Sequence, residues 1–105
     1  MTLNADMTRM ARHAEEAAGL LKSLAHPTRL MVMCRLAEGE ASVSELQQVA
    51  ELSMSALSQH LAVLREASLV ETRRQAQAVY YSLRPSAALG VIQALHDAYC
   101  KPRRR

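Results

Sequence analysis

The sequence has no Phe and no Trp, and its only aromatic residues are three Tyr. A core without large rings is built from Leu, Val, Ala and Met, which fill helix faces well. No apolar run approaches the roughly 20 residues of a membrane span, so no membrane partner is expected. The opening stretch, MTLNADMTRMARHAEEAAGLL, sets acids among its apolar residues and lacks a signal-peptide core. A cytoplasmic location is therefore expected. Cysteine is scarce: Cys34 and Cys100 lie far apart in the chain, and in a reducing cytosol they do not form a permanent staple. There is no Gly-rich phosphate loop, no GxSxG and no HExxH. Neither an enzyme nor a cofactor is expected from 105 residues of this pattern.

Half of the residues are apolar, enough for one domain over 1–105 with one modest core. Thirteen basic residues against ten acidic give a net charge of +3. That balance suits nucleic acid without demanding it. Part of it is a basic tail at 101–105, Lys101-Pro102-Arg103-Arg104-Arg105.

Apolar residues at three- and four-residue steps from Met7 to Leu24 predict a helix over about 6–25. His26-Pro27 breaks it, because a residue before Pro avoids the helical region. Pro27 suits the first turn of a second helix, about 28–38, that is apolar nearly all round and carries Cys34. Glu38-Gly39-Glu40 reads as a turn. Ser42 and Glu45 have the spacing of a capping box and open a short helix at about 43–50. Ser53 or Ser55 then caps a longer helix to about Ala67. Two helices so closely joined, spanning 43–67, form a helix-turn-helix. The stretch 69–84 alternates in polarity and predicts two strands with a turn near Gln75-Ala76, a hairpin ended by Pro85. A last helix is expected at about 86–100. The order α-α-α-α-β-β-α, mainly helical with a small β-hairpin, is that of a winged helix-turn-helix.

The fourth helix begins SMSALSQHLAVL and carries Ser, Gln and His where a solvated face usually carries Lys and Glu. Ser-rich helix starts are common because Ser caps well. Followed by a basic hairpin, they also suit a helix that brings its backbone close to base edges, since short donors and acceptors reach them. Long cations belong on phosphates at the periphery. His60, Arg65, Arg73 and Arg74 are candidates there, with His60 either on a phosphate or in solvent. A double-stranded DNA partner is expected.

LAHPTRL, SVSEL, LSMSALSQHLAVLREASLV and AVYYSL together resemble the ArsR/SmtB family of bacterial winged-helix repressors. The resemblance covers about residues 20–99. It implies a homodimer paired mainly through the first and last helices, 6–25 and 86–100. It also implies repression by binding a near-palindromic operator, with the two recognition helices one helical turn apart. The family's base-reading positions fall on Met54, Ser55, Ser58 and Gln59. Met54 departs from the Gln that many members carry, and its thioether is a weak acceptor.

Many relatives sense metals, but here the second helix reads Met31-Val32-Met33-Cys34-Arg35, with a single thiol. A Cys34, His96, Cys100 metal site is one alternative, since His96 and Cys100 stand four apart on one helix face. The placement of Cys34 and Cys100 is more similar to the thiol-based, sulfide- and redox-sensing branch of BigR, SqrR and HlyU. That likeness implies that the two thiols lie close together and become bridged by a disulfide or polysulfide, with reactive sulfur species or oxidants as inducers. An interaction module without DNA binding is the distant alternative.

Overall fold

The computed structural model describes residues 3–100. Five helices and a small sheet follow one another as α1 (Leu3–Leu24), α2 (Pro27–Ala37), β1 (Ala41–Ser42), α3 (Val43–Ala50), α4 (Met54–Glu66), β2 (Val70–Gln75), β3 (Ala78–Leu83) and α5 (Ala88–Tyr99). This is a winged helix-turn-helix. The basic tail at 101–105 lies outside the described residues.

Local chemistry sets most boundaries. His26 caps α2: its Nδ1 accepts from the Thr28 amide at 3.0 Å, and Pro27 fills the first turn. Gly39, at φ 139°, then swings the chain out of the helix, a conformation that side chains disfavour. Ser42 caps α3 through a complete capping box. Its Oγ accepts from the Glu45 amide at 3.2 Å, and Glu45 Oε1 accepts from the Ser42 amide at 2.9 Å. α5 begins at Ala88 rather than 86, with Ser86 Oγ accepting from the Ala88 amide at 3.1 Å.

The sequence pattern shows two strands; the structure has three. Ala41–Ser42 pairs antiparallel with Tyr81 and Tyr80, giving the order β1-β3-β2. A two-residue strand has no alternation to detect. The hairpin turn is Ala76–Gln77, one residue beyond Gln75-Ala76, with Ala76 at φ 55°. The core lies between α2, α3 and α4 and the inner face of the sheet, where Val32, Met33, Leu46, Leu57, Leu64 and Leu69 are the largest fully buried side chains. Burying such residues is worth roughly 1.5–3 kcal/mol each. α1 and α5 instead leave apolar residues outside this core: Met7, Met10 and Leu21 on α1, Leu89 and Tyr99 on α5, and Met31 on α2 beside them in sequence order are all exposed.

Candidate functional site

α4 is built to show one face. The turn before it passes through Glu51 in the left-handed region, φ 54°, and Gln47 Nε2 donates to the Leu52 carbonyl at 3.2 Å. Ser53 caps the helix, its Oγ accepting from the Ala56 amide at 3.2 Å. Leu57, Leu61 and Leu64 are buried and fix the helix's rotation. Helical spacing then turns Met54, Ser55, Ser58, Gln59 and Arg65 outward, and all five are exposed.

His60 does not join them. It is half-buried, its ring 4.1 Å from that of His26, and its Nδ1 lies 3.1 Å from Arg29 Nη1. The imidazole meets the junction with α2 rather than pointing outward with the others. Burial, then His26, then Arg29 push its pKa below the ordinary 6.5. The sequence held no signal for this, because His26 and Arg29 reach it across the fold.

The wing supplies cations beside α4. Ser58 and Arg65 of the helix and Thr72, Arg73 and Arg74 of β2 line a cleft of about 290 Å³. Arg73, expected as a DNA contact, is already occupied. Its Nε and Nη2 donate to the two Glu40 carboxylate oxygens, both at 2.7 Å, and Nη1 donates to Gln75 Oε1 at 2.7 Å. Its guanidinium also stacks 4.6 Å over the Tyr80 ring. The hydrogen bond from Arg73 is the main reason that the Glu40 carboxyl is held below its ordinary range. Glu40, read as a turn residue, is thus a wing residue in function, and its bidentate partner lies 33 positions away. Among the described residues, the guanidinium groups of Arg65 and Arg74 have no such partner. A row of short hydrogen-bonding side chains flanked by two unpaired cations is the chemistry that a polyanionic groove requires.

The second constellation lies on the opposite helices. Cys34 is half-buried on α2 against the core, and Cys100 is exposed at the C-terminal cap of α5, a helix that packs on α2. Both thiols are free. Burial pushes the Cys34 thiol above its ordinary value of 9.0; the nearby Cys100 adds to this, and Glu38 adds further. The two sulfurs are therefore within electrostatic reach. Cys34, His96 and Cys100 do not converge as metal ligands: among the described residues, no three His, Cys, Asp or Glu side chains are placed to hold a metal ion. His96 Nδ1 instead faces Asp97 Oδ1 at 3.8 Å. Among the described residues, no helix is long and apolar enough to cross a membrane.

Known proteins share this arrangement. Residues 26–72 match the model of the family described as "Bacterial regulatory protein, arsR family". The chain is 48% identical over 93 residues to the biofilm growth-associated repressor of Agrobacterium fabrum, covering 89% of this chain and 80% of that one. It is 44% identical over 96 residues to the transcriptional activator HlyU of Vibrio cholerae, covering 91% and 89%. Among solved structures, reduced HlyU from Vibrio cholerae superposes with a TM-score of 0.84 at 45% identity, covering 89% of this chain and 98% of that one. The transcriptional repressor BigR from Xylella fastidiosa gives a TM-score of 0.84 at 43% identity, covering 97% and 100%. With this fold, the family match and relatives of this identity, the chain belongs to the ArsR family of bacterial regulatory proteins.

Proposed function

We propose that this chain is a homodimeric, operator-binding repressor whose DNA affinity falls when Cys34 and Cys100 become bridged. The observation that supports the switch is the packing of α5 on α2, with Cys34 on α2 and Cys100 at the C-cap of α5 close enough that Cys100 raises the Cys34 thiol. α2 supports the helix-turn-helix, and α5 carries exposed Leu89 and Tyr99. With Met7, Met10 and Leu21 of α1, these residues are the apolar surface that a second copy covers. Two copies then present two α4 helices to successive major grooves, about 34–36 Å apart. Ser55, Ser58 and Gln59 face base edges, Met54 makes apolar contact, and Arg65 and Arg74 take phosphates.

The switch chemistry follows from exposure. The exposed Cys100 thiolate attacks the sulfane sulfur of an organic persulfide, expelling a thiolate and leaving Cys100 persulfidated. The Cys34 thiolate then attacks the Cys100 sulfur and expels hydrosulfide, closing a disulfide. If both thiols are persulfidated first, loss of one hydrosulfide closes a trisulfide. With peroxide, Cys100 becomes a sulfenic acid, and attack by Cys34 releases water. Either bridge ties α2 to α5 and resets the tilt of α4 relative to its dimer mate. A coupling of about 1–3 kcal/mol changes operator affinity by roughly 5- to 150-fold.

Intact mass spectrometry without reductant tests this, after treatment with an organic persulfide or with hydrogen peroxide, alongside an operator-shift assay. A bridge between Cys34 and Cys100 that accompanies DNA release supports the reading. Thiols that stay free under both treatments overturn it, as does unchanged release by both Cys34→Ser and Cys100→Ser.

A further inference from the structure

Three elements meet at one guanidinium. Arg29 of α2 donates through Nε to the Ser23 carbonyl at 2.6 Å and through Nη2 to the Lys22 carbonyl at 3.4 Å, both in the last turn of α1. The Lys22 carbonyl also accepts from the Ala25 amide at 3.2 Å, so Arg29 reinforces the turn that ends α1 and gives the Ser23 carbonyl a partner. The third nitrogen, Nη1, reaches His60 Nδ1 on α4 at 3.1 Å.

The protonation states in this cluster are fixed by its hydrogen bonds. A guanidinium only donates, so His60 Nδ1 must offer a lone pair. A backbone amide only donates, so His26 Nδ1, accepting from Thr28 at 3.0 Å, must do the same. The His60 imidazole is therefore neutral, with its proton on Nε2. The two rings stack 4.1 Å apart at 41°. The titratable and charged groups that bear on His60 are His26, at the α1–α2 junction, and Arg29 of α2. α1 presents the Lys22 and Ser23 carbonyls. α3 and β2 also pack against α4. Protonating His60 thus puts a donor opposite the Arg29 donor, beside an existing cation.

We propose that Arg29 is a positioning residue for the recognition helix, locking α4 to the end of α1 through His60, and that protonation of His60 releases this lock and lowers operator affinity. The proposal rests on α4 being the groove helix. Its sign is unusual. Added positive charge ordinarily tightens protein on DNA, whereas here mild acid weakens specific binding. The depressed folded-state titration of His60 sets the same direction: the lock is intact above the ordinary value of 6.5 and is lost as pH falls.

The test uses fully reduced, full-length protein and a duplex that it selects from a random library near neutral pH. Wild-type affinity for that duplex should fall about fivefold or more between about pH 7.5 and about pH 5.5. His60→Asn keeps an acceptor near the Nδ1 position that does not titrate, so its affinity should stay flat or rise over the same range. Arg29→Gln should bind weakly at both ends. In parallel, NMR of the DNA-free protein should show α4 amide signals moving with the His60 titration in wild type and not in His60→Asn. A wild-type affinity that is flat or rises in acid overturns the inference, as does an equal fall in His60→Asn. If no duplex is selected, the DNA-binding reading fails by itself. The NMR arm then decides the lock: α4 amides indifferent to His60 protonation refute it.

Discussion

Arg73 and Arg74 are neighbours in sequence and opposites in circumstance. All three nitrogens of Arg73 are hydrogen-bonded at 2.7 Å, two to Glu40 and one to Gln75, while Arg74 extends from the wing without a partner among the described residues. Alanine at each position should therefore have unequal effects on DNA. Neutralising one phosphate contributes about 0.9 to the slope of log affinity against log salt. In the proposed dimer Arg74 acts twice, so Arg74→Ala should flatten that slope by about 1.8, which is about twelvefold in affinity between about 50 and about 200 mM salt. Arg73→Ala should change the slope by much less. Glu40→Gln should release Arg73 and steepen the slope toward the value for two added contacts, an effect that Arg73→Ala should abolish. The tie resists acid: Glu40 titrates below its ordinary 4.5 because of Arg73, so the pair contributes above that value and is lost only as pH drops through the lowered one. The assay is fluorescence anisotropy on a labelled duplex over a salt series at neutral pH. Equal slope changes for Arg73→Ala and Arg74→Ala would falsify the assignment, and so would a Glu40→Gln slope identical to wild type.

Other expectations concern the helix, its face and the thiols. Ser53→Ala removes the acceptor for the Ala56 amide and should cost about 0.5–2 kcal/mol, lowering the thermal midpoint by about 4–8 °C per kcal/mol; Ser53→Asp should recover most of it, and an unshifted midpoint would show the cap to be idle. Gln59→Ala should weaken specific binding by about 1–3 kcal/mol and leave non-specific binding nearly unchanged, so a constant specificity ratio would remove Gln59 from the base-reading face. Cys100 in the Cys34→Ser variant should alkylate with iodoacetamide faster at neutral pH than Cys34 does in Cys100→Ser, because burial alone, without the Cys100 thiol, still covers Cys34 and holds its thiol above the ordinary 9.0. Equal rates would mean that the two sulfurs do not differ in access or ionisation.

The sequence carried the helices well, because their signals are local. The Ser42–Glu45 box and the Ser53 cap lie within three residues of their targets. The leucines of α4 announce its inward face and, by subtraction, the exposed Ser55, Ser58 and Gln59. What the sequence concealed is non-local. His60 has the spacing of a lateral position, and only the arrival of Arg29 and His26 from the preceding helix draws it in. Arg73 has the look of a free wing cation until Glu40, at the end of the α2–β1 connection, closes on it. The pairing of Ala41–Ser42 with β3 that brings Glu40 there is two residues long and leaves no pattern of its own. The proximity of Cys34 and Cys100 was implied only by likeness to a family, since nothing in their spacing brings two helices together.

That short pairing also joins the helix-turn-helix to the wing. Ser42 is at once the cap of α3 and the β-partner of Tyr80, on whose ring Arg73 lies. The first helix of the helix-turn-helix and the wing therefore share a hinge pin rather than a flexible tether. On the proposed reading, a displacement of α2 should then shift base contacts and backbone contacts together. The groove helix and the wing of a protomer should therefore leave DNA together rather than one after the other.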